Sequence, residues 1–446
     1  MSHTLIKHHP LATVVAGAVI AAVLFCQANR AEATTFAVTN CNDSGPGSLR
    51  DTVARAQSGD LVDLRGLHCT TIVLTRGAIE IPQQNLALLG RGDGALAITS
   101  QNRSRILSHK GAGTLRIAWL SIVDGLHVSE TFAEGGCIYS SGNVTLQHAR
   151  VHQCEAYGSP APDCEGAGTC SGSRGGAISA SGTVRMSYST VSDSSASNYD
   201  SVGGGIVADE LRMFRSRLLR NSSEGSGGAQ VLRFIALGSI IADNQAGDAW
   251  FPGPGGVHVV ELRSVPGSGA ADVRDTTFEG NTGSYCSALC AHDARIVNST
   301  FSGNATGYGA AISVTDGSII NSTVAGNSNT RCLGAVLATT LYLESAIVAG
   351  NVCGTGVMDL ANVGSLTGTH NLVGIAAIPL PAGTLRSDPL LGPLAFNGGY
   401  TPTRALRAAS PAIDRGCNPL GLAHDQRGPG FPRVKGARAD IGAFEH

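Results

Sequence analysis

Two pairs of aspartates stand close enough along the chain to work as pairs. Asp243 and Asp248 flank Asn244, and Asp272 and Asp275 enclose Arg274. Paired carboxylates cleave glycosidic bonds when one donates a proton and the other acts as base or nucleophile. Carboxylates that cluster around Ca²⁺, with a basic residue to take a proton, would instead perform elimination on an acidic sugar. Trp250, Phe251 and His258 lie between the two pairs, in a stretch rich in Gly and Pro. Rings placed there would wall a groove and stack on sugars. The plainer account makes the four aspartates solvated turn residues. Ca²⁺ is expected only with elimination chemistry; otherwise no cofactor is implied.

Other groups offer less. Arg212, Arg215, Arg217 and Arg220 would form an anion site on one surface, or simply a solvated strand face. Cys286 and Cys290 resemble half of a metal site, but no second such pair or nearby histidine pair completes it, so no metal is expected. Asp425, Arg427 and Asp440 are better placed to pair with one another in a terminal cap than to catalyse. Neither a nucleophile elbow nor a phosphate loop is present. The net charge of −2, with no basic run, excludes nucleic acid as a partner class.

Residues 1–33 read as an export leader. Lys7 precedes an apolar run from Leu11 to Phe25, and Ala31-Glu32-Ala33 offers a cleavage site. Fifteen apolar residues fall short of the roughly 20 that a membrane span needs. No transmembrane segment is therefore expected in the mature chain. Of the 12 cysteines, one (Cys26) lies in the leader. Export predicts disulfides for the rest, with Cys41–Cys69 and Cys332–Cys353 as candidate staples between coils. Their odd number leaves at least one thiol over.

What must position any such site is a repeat. Segments such as Ser299-Thr-Phe-Ser-Gly-Asn304 and Ser322-Thr-Val-Ala-Gly-Asn327 place asparagines at 221, 244, 281, 304, 327 and 351, in steps of 23, 37, 23, 23 and 24. The long step marks an insertion around Trp250 to Pro266. A second marker runs in phase, as in Gly135-Gly136-Cys137-Ile138, Gly175-Gly176-Ala177-Ile178 and Gly203-Gly204-Gly205-Ile206. Three short strands and their turns fill a coil of about 23 residues. Stacked coils set equivalent residues above one another, so Asn221, Asn244, Asn281, Asn304, Asn327 and Asn351 are expected to form a ladder at a left-handed turn. The N-x-[ST] sites at Asn221, Asn298, Asn304 and Asn321 recur with this period and read as structural positions. With 59 Gly and 14% charged residues, the composition suits many short strands. The predicted fold is all-β: a right-handed parallel β-helix over 34–375.

Its ends need covers. Ser48-Leu49-Arg50-Asp51 has the pattern of a capping box and starts a short helix at the N-terminal end. Residues 376–446 lose the glycine marker and read as a C-terminal cap. They carry Asp388-Pro-Leu-Leu-Gly392, Asn397-Gly-Gly399, Ser410-Pro-Ala-Ile-Asp414, Asp425-Gln-Arg-Gly428 and Asp440-Ile-Gly-Ala-Phe-Glu445. Together with Asn42-Asp-Ser-Gly-Pro-Gly-Ser-Leu-Arg50, this run resembles the choice-of-anchor Q β-helix family. The repeats also resemble those of polymorphic outer-membrane proteins. Both resemblances imply a right-handed β-helix on an exported, often surface-associated protein, and neither implies a chemistry. The expected role is noncatalytic: surface interaction, adhesion or carbohydrate binding, with a polysaccharide or surface partner. The alternative is a lyase or glycoside hydrolase acting on an acidic polysaccharide.

Overall fold

The structure, a computed structural model, describes residues 33–92, 95–159, 172–198, 200–247, 253–354 and 356–446. Residues 1–32, Cys164, Cys170, Asp248, Trp250 and Phe251 lie outside the described residues.

Alternating strands bury one face each, and a chain that repeats this three times per coil closes on itself. The result is a right-handed parallel β-helix whose strands stack into sheets of 18, 12 and 10 strands. The wide sheet carries the longest strands, such as Ile206–Phe214, Cys286–Val297 and Ala310–Ile320. The middle sheet is built of three-residue strands such as Thr277–Glu279 and Thr300–Ser302. Its central residues stack in register from Ile98 through Ile122, Val151, Val191, Leu218, Ile241, Phe278, Phe301 and Val324 to Val348. Every one of them is fully buried, so the bore is a continuous apolar column. Phe278 and Phe301 stack face to face at 4.5 Å.

The two corners that flank the middle sheet are built alike. At one, Asn221, Asn244, Asn281, Asn304, Asn327 and Asn351 point inward and are buried. Each of the first five donates from Nδ2 to Oδ1 of the next at 2.9–3.0 Å, and Asn351 donates to Asp359 at 2.8 Å. At the other, buried hydroxyls form a second ladder, with the Ser216 N–H donating to Ser239 Oγ and the Ser299 N–H to Ser322 Oγ.

One detail differs from expectation. The left-handed residue is the one before each ladder asparagine: Arg220, Asp243, Gly280, Gly303, Gly326 and Gly350 all have positive φ. Four of the six are glycines, and the side chains of the other two, Arg220 and Asp243, are exposed. The following asparagine turns into the bore, where its amide satisfies backbone groups that water cannot reach. The glycine marker has a steric cause of its own. A Cβ on Gly136, Gly176 or Gly204 would run into a backbone carbonyl of the next coil.

At the start, helix Leu49–Arg55 is capped by Ser48, whose Oγ accepts from the Asp51 N–H, and it packs through Leu49, Thr52 and Val53 against the first coil. Four disulfides lie among the described residues: Cys41–Cys69 and Cys332–Cys353, as proposed from the sequence, with Cys137–Cys154 and Cys286–Cys290. The last pair closes within one wide-sheet strand. No described helix is long and apolar enough to cross a membrane.

Residues 376–446 divide their contacts. Ala376, Ile378 and Leu380 pack on the core at the last coils. From about Asp388 the chain doubles back as an arm along the outer face of the middle sheet. There Thr277 Oγ1 donates to Pro402 O, Thr300 Oγ1 to Gln426 Oε1 and Arg404 Nε to Ser302 Oγ. Tyr400 reaches as far back as Arg215.

Candidate functional site

The wide sheet presents two outward columns over seven coils. One stacks Glu210, Arg233, Ala270, Asp293, Asp316, Thr340 and Ser365; the other stacks Arg212, Ile235, Asp272, Arg295, Ser318, Tyr342 and Thr367. Between them the inward residues Ala271, Ala294 and Gly317 are small. A groove of about 700 Å³ opens outside the sheet along these columns. It runs along the solenoid axis. Successive rungs lie about 4.8 Å apart.

The groove charges pair locally. Arg212 meets Glu210 at 2.9 Å, Arg274 meets Asp272 at 2.9 Å, and Arg295 stands 3.9 Å from Asp272. Such solvated pairs are worth at most about 1 kcal/mol each, so a polar ligand can exchange them at little cost. At one edge, His292 Nδ1 lies 3.3 Å from Asp293 and Nε2 lies 3.6 Å from Glu261. Asp316 completes a cluster with His292 and Asp293 whose nearest atoms fall within 4.8 Å. Ca²⁺ takes six to eight oxygens. Two carboxylates beside an imidazole do not make such a cage without oxygens from a ligand.

Glu261 belongs to the insertion. Within the described residues, strand Val257–Val259 joins the wide sheet and residues 260–269 loop out beside the groove. Arg233 ties this loop down by donating to Gly267 O at 3.0 Å and to Pro266 O. The His292 N–H donates to Gly269 O at 2.9 Å.

Of the aspartates singled out in the sequence, the three that are described, Asp243, Asp272 and Asp275, do not gather on one face. Asp272 lines the groove. Asp275 turns the corner into the middle sheet, and Asp243 turns the next corner, beside Arg220 and Glu279. His258 stands on the wide sheet between Gln230 and Cys290, and burial holds it below the usual histidine range. The four arginines likewise spread around a coil. Arg212 is in the groove and Arg217 on the middle sheet, with Arg215 and Arg220 at the two corners and Arg220 paired to Asp193. Consecutive residues of a coil face different sides, so nearness in sequence within a coil does not gather side chains. The signal that would have found the groove is the period itself. Asp293 and Asp316, like Arg295 and Ser318, are 23 residues apart and sit on adjacent rungs.

No family model and no curated protein matches the chain. Among solved structures, the crystal structure of pectate lyase Pel9A matches over 93% of this chain and 97% of that one, at 14% identity and a TM-score of 0.43.

The arm creates one further environment. Asp275 is covered by it: its carboxylate accepts from Asn298 Nδ2 at 2.8 Å, and its carbonyl accepts from Thr401 Oγ1 at 3.1 Å. Burial pushes Asp275 up to about 6, against the pull of Asn298 and Arg274, while Asp425 adds to the rise and His424 opposes it. A carboxyl raised in the folded state favours folding while it is neutral. That contribution is complete below about pH 4 and is lost as pH rises through about 6. The arm should therefore sit more firmly at pH 5 than at pH 7.5, by no more than about 1.4 kcal/mol. Hydrogen exchange in residues 388–446 checks this, with Asp275→Asn expected to remove the difference between the two pH values. Identical pH dependence in the variant would rule Asp275 out as its source.

Proposed function

We propose that this protein is an exported, noncatalytic β-helix that binds an extended polysaccharide along the wide-sheet groove. The observation that carries the reading is the pair of seven-residue columns, polar at most rungs, that line a groove parallel to the solenoid axis. A repeating ligand meets a repeating surface there, and each rung offers a donor or acceptor at a regular spacing. Tyr342 supplies the aromatic edge, at 40% exposure. Arg212, Arg233 and Arg295 would hold acidic sugars. Export to an oxidising compartment is supported by the four disulfides and by the leader read at 1–33. A final location in the medium or at the cell surface is part of the proposal, and fractionation of the host would test it.

Calorimetry or affinity electrophoresis against neutral and acidic polysaccharides tests the binding. Arg295→Ala should weaken the preferred polymer about 10-fold or more, the scale of one lost charge-assisted hydrogen bond. The double variant Arg295→Ala/Tyr342→Ala should lose more. Unchanged affinity in the double variant would move the site elsewhere.

A second reading rests on the groove edge. His292 stands between the carboxylates of Glu261 and Asp293, an arrangement that can orient an imidazole as general base, with Asp316 alongside. Under it, the protein cleaves an acidic polysaccharide by elimination or hydrolysis, and Ca²⁺ would need the substrate's own oxygens to complete its shell. Formation of unsaturated, ultraviolet-absorbing products from an acidic polysaccharide would favour elimination. Such activity surviving both His292→Ala and Asp293→Ala would remove this edge as its source.

A further inference from the structure

Cys417 is the cysteine of the described residues that enters no disulfide. It lies on the arm, and its Sγ stands 2.8 Å from Oε1 of Glu344, the last residue of strand Val336–Glu344. His370, a left-handed corner residue one coil further on, brings Nδ1 to 3.3 Å from the same oxygen. The sulfur, the ring nitrogen and the carboxylate oxygen all lie within 4.8 Å of one another. The other Glu344 oxygen is already held. It accepts from the Thr369 N–H at 2.9 Å and from the Tyr342 O–H at 3.1 Å, while Oε1, which faces the sulfur and the ring, also accepts at 2.9 Å from Thr369 Oγ1, itself 2.7 Å from His370 Nδ1. Glu344 is buried, while the His370 side chain keeps 37% of its surface.

From this geometry we infer that Glu344, His370 and Cys417 form a site for Zn²⁺, or a transition-metal ion of like preference, that fastens the arm to the solenoid. One thiolate sulfur, one imidazole nitrogen and one carboxylate oxygen make a zinc donor set. Three protein ligands leave the fourth tetrahedral position to water, which the exposed side of His370 admits. Hard cations such as Ca²⁺ and Mg²⁺ demand oxygens and are excluded by the sulfur. The fixed Glu344 carboxylate does the work that orienting hydrogen bonds do around metal ligands.

The thiol's present state is consistent with this role. Burial and the Glu344 carboxylate push Cys417 up to about 12, so without metal it is a protonated, unreactive thiol that donates to Glu344. Metal binding breaks that S–H bond, releases the proton to solvent and forms an S–metal bond, with no change of oxidation state. The sequence hid the site because its ligands, at 344, 370 and 417, come from two coils and the arm. The two nearest are 26 residues apart, far beyond the spacing of a sequential metal motif.

The test uses the disulfide-bonded chain after chelation, titrated with ZnCl₂ by calorimetry in two buffers. One ion per chain with net proton release is expected, together with a rise in melting temperature. Co²⁺ in place of zinc should give a sulfur-to-metal charge-transfer band. Zinc should also shield Cys417 from a thiol reagent. Cys417→Ser and His370→Ala should each weaken zinc by at least about 100-fold, the upper end of what losing a supporting hydrogen bond already costs. Thr369→Val, which removes one such bond to Glu344, should cost about 10-fold. Should Cys417→Ser fail to fold, the half-exposed His370→Ala gives the same reading. Zinc affinity equal to the parent's in either ligand variant, or a Co²⁺ complex without the thiolate band, overturns the assignment. So does a loss of binding in His292→Ala alone, which would put the metal at the groove edge.

Discussion

Asn304→Ala is expected to lower the unfolding free energy by about 4 kcal/mol, a large effect for one surface-free amide. Asn304 is wholly buried. Its Oδ1 accepts both the backbone N–H and the Nδ2 of Asn281, at 3.1 and 2.9 Å. Its Nδ2 donates to Phe278 O at 3.0 Å and to Asn327 Oδ1 at 2.9 Å. Alanine strands two donors and leaves the Phe278 carbonyl short of a partner, in a fully buried corner. Each stranded group costs roughly 1–3 kcal/mol, and the small cavity adds to the sum. Asn362→Ala, at an exposed position, should change stability by no more than about 0.5 kcal/mol. Denaturant titration of both variants checks the pair. A loss below about 1 kcal/mol at Asn304 would show that the ladder follows the stack without holding it.

Arg433→Met should release the arm. Arg433 is the largest fully buried side chain among the described residues. Its guanidinium donates to Glu445 Oε2 at 2.9 Å, Gly442 O at 2.9 Å and Asp440 O at 3.1 Å, and reaches Asn298 Oδ1 of the solenoid at 3.3 Å. Burial already pushes Glu445 above the usual carboxylate range despite this partner. Methionine fills much of the volume but leaves the buried Glu445 without its counter-charge, held only by the Lys435 and Asp440 N–H groups. Removing one member of a buried ion pair costs about 3–5 kcal/mol. The loss should be felt first in docking of residues 388–446, as faster hydrogen exchange and proteolysis of the arm while the coils stay protected. Adding Glu445→Gln removes the stranded charge and should recover part of the loss. Arm exchange indistinguishable from the parent's in Arg433→Met would contradict the reading. Asp425 and Arg427 pair in the same region at 2.6 Å, and the Glu445 N–H donates to Asp425 at 2.8 Å. The acidic and basic residues of this segment therefore act on one another to hold the arm's shape.

The coils and their 23-residue step could be read from the sequence alone, and Cys41–Cys69 and Cys332–Cys353 could be named as candidate staples though not fixed as pairs. Each depends on what lies next to it in the stack, and stacking turns that neighbour into a fixed sequence offset. The same offset set Asn281 over Asn304 and Phe278 over Phe301. Two things needed the tertiary structure. One was the face on which a residue lands: Asp272 and Asp275 are three apart, yet the strand ends between them, so one lines the groove and the other goes beneath the arm. The other was the course of the arm. Its contacts, such as Thr300 with Gln426 and Asn321 with the Cys417 carbonyl, join periodic sequence to aperiodic sequence across 126 and 96 residues. No offset repeats there for a reader to find. Only the closed surface of the folded solenoid specifies where those hydrogen bonds can be made.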